Sequence, residues 1–438
     1  MKYLVLILIS LLSKWLFAQN SSLPLTRTAK TEVVDSLSKS LLKNYVFPDT
    51  ASKMGNYIER RLKDGMYDQI TNPNEFAQKL TTDLRSIYND VHLSITYDPK
   101  MQRRLTDTSM INVTERRQQN LAEYRQQNFG FKKLEILSGN IGYVRFDQFY
   151  GFNEFSKEVV NTVFTFLKNA NALIIDLRNN GGGSPDMVKY ICSFLLPPGT
   201  HLSSFFERRT IQTETMYTYQ PSIPVSFVDR PVYILVSRRS FSGAEAFSYD
   251  LQALHRATII GENTGGGAHA VGPNIICNGF IGLIPYSRAI NPITGTNWEG
   301  VGVKPDIKIS ADSSLDAAIL SYYDRQLAHA TDSGQIKKVT WPRDMLQAKL
   351  HPYQADTSLQ RTYTGNFANR LVSLENGYLY YTGTDGKKAR LIPLAPASFR
   401  ITDVDYMKID FVRNAQGQVS KMNFIFEDGF VASYEKKE

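Results

Sequence analysis

Sulfur, long apolar runs and clustered charge are scarce in this 438-residue chain. Its only cysteines are Cys192 and Cys277, each inside an apolar run. One possible pair makes no disulfide framework, and two thiols argue against a structural zinc site, so both read as buried free thiols. Past the amino-terminal residues no window offers the ~18 apolar residues that a spanning helix needs. The formal net charge is +8, yet Lys and Arg are scattered. The densest stretch, from Arg103 to Arg125, is mixed with Gln and Glu and reads as a solvated helix face, which excludes a nucleic-acid stripe. There is no internal repeat and no low-complexity tract. Lysine is absent between Lys189 and Lys304, an absence that bears on the chemistry below.

What is present begins with MKYLVLILISLLSKWLFAQN. Lys2 followed by the apolar run Tyr3 to Leu12 reads as a secretory signal over residues 1–19, cleaved near Ala18 or Gln19. The mature chain is then exported, to the periplasm or outside the cell, with no integral membrane segment. Residues 26–98 read as a helical domain. Met54, Tyr57, Ile58 and Leu62 recur at helical spacing, as do Phe76, Leu80, Leu84 and Ile87 after an Asn72-Pro73 start. The domain ends in NDVHLSITYDP, where alternation takes over.

Residues 99–330 alternate strands with helices. GYVRFDQF, ALIIDL and PVYILV suit buried strands, with helices around 155–167, 185–195 and 243–254. That order implies an α/β core with a largely parallel sheet. A hairpin is expected over 274–286. Residues 331–356 read as a polar, proline-containing linker. Residues 357–438 alternate like antiparallel strands punctuated by NG, DG and QG turns, a separate β domain.

Two loops could carry chemistry. In RRSFSGAEAFSYDLQAL, Ser242 stands where a buried strand has ended and a helix begins at Gly243. A hydroxyl there meets the positive end of the helix dipole, beside an unpaired Gly243 N–H. A nucleophilic serine needs both features, and so does a plain helix cap need the first. In DLRNNGGGSPDMV, Gly181 to Gly183 let the backbone approach a ligand and offer N–H groups to an anion. The spacing fits neither GxGxxG nor GxxxxGK[ST], leaving an oxyanion loop or a tight turn. A serine also needs a base. With no lysine in reach of the sequence that follows Ser242, histidine remains. His92 sits at a domain junction, and His269, in the loop GENTGGGAHA, is its rival.

NDVHLSITYDP, IIDLRNNGGGSPDMV, SFSGAEAF, RATIIGENTGGGAHA and WEGVGVKPD occur in the order found in the carboxyl-terminal processing (tail-specific) protease family. Residues 26–310 resemble it, most closely its branch with the tricorn protease core and the interphotoreceptor retinoid-binding protein. The resemblance implies a crotonase/Clp-protease-like spiral β-α core, an N-terminal helical domain and, outside the family region, the C-terminal antiparallel β domain. It implies Ser242 as nucleophile, His92 as base and Glu299 as its orienting partner. It implies an oxyanion hole from Gly243 and the glycine loop, Gly182 or else Gly181. The lysine base of the processing proteases would fall near Gly267 and is absent. The serine that precedes the histidine in the tricorn-like site is replaced by Val91, so Glu299, Asp90 or water must orient His92. The 98–140 segment is too short for the family's PDZ module.

These features together imply an exported serine endopeptidase acting on a peptide or protein through an acyl-enzyme. It needs no metal and no cofactor, and nucleic acid is not a partner. Asp176 and Arg178 read as a buried or loop-orienting ion pair, and Glu245 as a fixture of the serine loop. The alternative is a carrier that binds a ligand on the same fold without cleaving it.

Overall fold

The computed structural model describes residues 25–107, 109–354, 356–404 and 406–437. The expected signal segment lies outside them. Among the described residues no helix is long and apolar enough to cross a membrane. In chain order the helices Arg27–Asn44 (α1), Pro48–Lys63 (α2) and Pro73–Ile87 (α3) precede the strand Ser94–Tyr97 (β1). Helices Pro99–Thr106 (α4) and Met110–Gln126 (α5) lead to strands Phe131–Leu137 (β2) and Ile141–Phe146 (β3). Next come Glu154–Leu167 (α6), Ala172–Asp176 (β4), Pro185–Cys192 (α7), and strands His201–Glu207 (β5) and Gln212–Tyr217 (β6). Strand Val232–Val236 (β7) and helix Gly243–Ala253 (α8) are followed by strands Thr258–Gly261 (β8), His269–Ile275 (β9), Phe280–Ile290 (β10) and Ile307–Lys308 (β11). Helices Ser314–His329 (α9), Ser333–Leu350 (α10) and Thr357–Arg361 (α11) lead to eight strands, from Gly365–Phe367 (β12) to Val431–Glu435 (β19).

The chain divides into two compact units. The first comprises the residues up to Arg116 with Phe206–Thr213 and His269–Arg288. Its helices start where the sequence places caps. Asn72 accepts from the N–H groups of Asn74 and Glu75, and Pro73 fills the first turn of α3, where its missing N–H costs nothing. The apolar stripes of α1 to α3 meet around Val34, Leu37, Met54, Ile58, Phe76 and Leu80, all without solvent exposure. Strand β10 pairs antiparallel with β1 on one side and β9 on the other. The hairpin expected over 274–286 is the β9–β10 pair.

The second unit contains the α/β core and the C-terminal strands. Its six-stranded sheet runs in the order β11-β8-β7-β4-β3-β2. Every pair is parallel except β2 with β3. Alternate residues of one strand serve opposite faces. Leu173, Ile175, Val232 and Ile234 join α6, α7 and α8 in one core, whereas Ala172, Ile174, Tyr233 and Leu235 pack with Ala318, Tyr322 and Tyr323 of α9 in another. Both faces are covered, which is why these strands read as unbroken apolar runs.

The stretch read as a linker is mostly helix. Asp332 caps α10 by accepting from Gly334 and Gln335, and Arg343 and Lys349 pair with Asp324 and Asp316 of α9. Val339, Leu346 and Leu350 pack against the same core as Tyr322 and Tyr323 of α9, and this burial sustains the helix despite Pro342 in its interior. The polar 99–130 stretch likewise contains α4 and α5. The last eight strands form one antiparallel sheet in sequential order around Phe367, Leu379, Phe399, Ile409 and Met422. Phe367 bridges Lys436, and the Lys437 N–H reaches the Asn366 carbonyl, so the sheet almost closes on itself. At the Asn376-Gly377 turn both residues have positive φ, 48° and 80°, as a two-residue hairpin turn demands.

Candidate active site

Ser242 ends a tightly laced turn. The Ser240 hydroxyl donates to the Leu177 carbonyl, the Ser237 hydroxyl to that of Arg178, and the Phe241 N–H to that of Asn180. The turn is thereby fastened to the segment that follows β4. Ser242 itself has φ 52° and ψ −113°, a conformation a side chain resists. Strain of this kind, typically ~1–3 kcal/mol, persists only where the surroundings impose it, and it clusters at functional sites. The constraint here is Glu245. Its carboxylate, without solvent exposure, accepts from the N–H groups of Ser242 (2.8 Å), Gly266 (2.6 Å) and Gly267 (2.8 Å) and from the Thr264 hydroxyl. Burial raises the Glu245 pKa, and the four donors oppose that rise.

The glycine loop lies directly against this turn. A Cβ on Gly182 would stand 2.6 Å from the Gly243 nitrogen, 2.6 Å from the Phe241 oxygen and 2.8 Å from Ser242 Cβ. Gly183, at φ 135°, would put one 2.0 Å from the Phe149 oxygen. Only glycine permits so close an approach. The donors differ from the sequence expectation, which gave Gly182 or Gly181 to the oxyanion. The Gly182 N–H donates to Asn180 Oδ1 at 2.8 Å, and that of Gly181 to the Asp147 carbonyl at 3.2 Å. Asn180 is held in turn by its own donation to Phe146. The N–H groups of Gly183 and Gly243 have no hydrogen-bond acceptor among the described residues. Asp176 and Arg178 form the ion pair expected of them, with Tyr143 donating to the same carboxylate.

Glu299 belongs to the same unit. Its Oε2 accepts the Ala268 N–H at 2.6 Å. Flanking it, Trp298 Nε1 donates to the Gly267 carbonyl and the Gly300 N–H to that of Gly266. The loop 264–268 is therefore stitched on one side to Glu245 and on the other to the Glu299 segment. In this unit the structure brings together Ser242, Gly243, Gly181, Gly182 and Gly183, and links Glu299 to them through one loop.

His92 and His269 belong to the first unit, and there they share one carboxylate. Asp90 Oδ1 accepts the His92 backbone N–H at 3.1 Å. Asp90 Oδ2 lies 2.7 Å from His269 Nδ1 and accepts the Tyr45 hydroxyl at 3.0 Å. Arg85 donates to the carbonyls of Val91 and Leu93, on either side of His92. Burial lowers the His92 pKa to about 4; His269 and Arg85 act the same way, and Asp90 opposes them. The imidazole is then neutral near pH 7, the form that accepts a proton. Sequence reasoning missed the Asp90–His269 pair; the only local signal was an acid two residues before His92.

Comparison with known proteins agrees with this architecture. Residues 140–309 match peptidase family S41, and residues 13–129 match the N-terminal domain of peptidase S41 in eukaryotic IRBP. The mixed α/β core that carries the serine turn and the glycine loop thus lies within the stretch that matches peptidase family S41. The chain therefore carries peptidase S41 family domains over these two stretches, and its relatives include carboxyl-terminal-processing proteases. It is 27% identical over 197 residues to the tricorn protease of Thermoplasma volcanium, covering 42% of this chain and 18% of that protein. It is 31% identical over 128 residues to the carboxyl-terminal-processing protease of Synechocystis sp., covering 29% and 28%. The chain thus spans well under half the length of either relative. Among solved structures, a putative peptidase from Parabacteroides merdae aligns with TM-score 0.48 and 19% identity, over 66% of this chain and 95% of that one.

Proposed function

We propose that this chain is an exported serine endopeptidase acting on peptide or protein substrates. Ser242 Oγ attacks the substrate carbonyl while His92 takes its proton. The N–H groups of Gly243 and Gly183 hold the oxyanion, and Gly182 serves by having no side chain. Protonated His92 then delivers its proton to the leaving amine, and water releases the acyl-enzyme by the same route. Glu299 is the orienting acid of the set. No step calls for a metal or a cofactor. The signal-like residues 1–19 support export to the periplasm or beyond.

The observation that carries this reading is the backbone of Ser242. A residue that only capped a helix would have no reason to sit at φ 52° and ψ −113° with two uncommitted N–H groups beside it. The test is a fluorophosphonate probe on the purified chain, with Ser242→Ala and His92→Ala as controls. Covalent labelling lost in both variants supports the mechanism. Labelling that persists in Ser242→Ala removes the nucleophile, and absence of labelling in the parent chain favours a carrier.

A further inference from the structure

His269 is a buried titratable side chain that the mechanism above leaves without a task. Its imidazole is 1% exposed, and the Asp90 carboxylate it meets is 0% exposed. A buried carboxylate is stable only when its oxygens are supplied with donors. Asp90 Oδ2 meets Tyr45 Oη and His269 Nδ1, while Oδ1 receives the His92 N–H. The ring of Phe47 stands edge-on to that of His269, with centroids 5.4 Å apart, and Arg288 lies over the Phe47 ring. The peptide that precedes His92 is therefore pinned at both ends, its N–H by Asp90 and its Val91 carbonyl by Arg85, while the Leu93 N–H donates to the Asp90 carbonyl and Arg85 also holds the Leu93 carbonyl.

We propose that His269 is a positioning residue: it donates from Nδ1 to Asp90, locks the carboxylate that anchors the His92 peptide, and so fixes where the His92 imidazole stands. The inference rests on His92 being the base. It gives His269 a duty distinct from the alternative base role that its sequence position suggested. His92 is half-buried, whereas His269 is enclosed.

The experiment measures the rate of fluorophosphonate labelling against pH for the full chain and for His269→Asn, His269→Leu and Asp90→Asn. Ser242→Ala and His92→Ala are the controls, and thermal melts check folding. Asparagine keeps an N–H donor near the Nδ1 position but cannot serve as a base. His269→Asn should label within about 10-fold of the parent, far from the ~10²–10⁴-fold loss that follows removal of a general base. His269→Leu and Asp90→Asn should label more slowly than His269→Asn. If His269→Asn is as inert as Ser242→Ala while His92→Ala still labels, His269 is the base and the proposal fails with the serine mechanism intact. Labelling by His269→Asn no faster than by His269→Leu also overturns it, and where His269→Leu does not fold, a His269→Asn rate as slow as that of Asp90→Asn does so. Labelling of Ser242→Ala would instead remove the reading on which it rests.

Discussion

Glu245 accepts the backbone N–H of Ser242 at 2.8 Å, so the first turn of α8 holds its own serine in a conformation that serine resists. The same carboxylate gathers Thr264, Gly266 and Gly267. Glu245→Gln replaces one acceptor oxygen by an amide that faces N–H donors. We expect a loss of about 1–3 kcal/mol in stability, the usual cost of leaving buried donors unmet. Labelling of Ser242 should fall as the turn relaxes. Urea unfolding and probe kinetics on one preparation check both.

Gly183→Ala should be worse than a typical surface change. Its φ of 135° disfavours any side chain, and the Phe149 oxygen occupies the place of the new Cβ. Backbone displacement should cost about 2–3 kcal/mol and displace the N–H assigned to the oxyanion. The check is kcat/KM with KM measured separately, since a lost oxyanion donor lowers kcat more than it raises KM.

Asn180→Ala separates the two glycine donors. It removes the acceptor of the Gly182 N–H and the donor to Phe146 without touching Ser242. The expected result is a looser glycine loop and slower labelling. Faster labelling would mean that Gly182, once released, is the better oxyanion donor.

His92 sets a pH window. Its folded pKa is depressed from 6.5 to about 4, so between those values the unfolded chain binds more protons than the folded one. Stability therefore falls as pH drops from 6.5 toward 4, and His92→Gln should flatten that part of the profile. Urea titrations across the window test this. The acid limb of kcat/KM should likewise lie below 6.5 in the free enzyme.

Much of this was legible in the sequence because it depends on near neighbours. Asn72-Pro73 announces α3, and Asn376-Gly377 a hairpin. Unbroken apolar runs announce strands covered on both faces, and Ser242 with Gly243 announces a strand-to-helix turn. What was illegible depends on partners far along the chain. His269 and Asp90 are 179 positions apart; an acid two residues before His92 was visible, but not that it would meet His269. The committed N–H of Gly182 depends on which way the Asn180 amide points, which composition does not encode. Helix α10 was read as a linker because its polar residues outweigh its apolar ones. Its order comes from the few apolar residues that meet the core beside α9, Val339, Leu346 and Leu350, with ion pairs to α9 around them, a match visible only once the two helices are side by side.

The meeting of Phe367 with Lys436 has a consequence for the outermost strands of the C-terminal sheet. Extended substrates are natural recruits to any bare ladder of amides and carbonyls. With Phe367 and Asn366 of β12 meeting the residues just after β19, the C-terminal sheet offers less of such a ladder at its two ends, which makes it a poorer template for strand-by-strand aggregation.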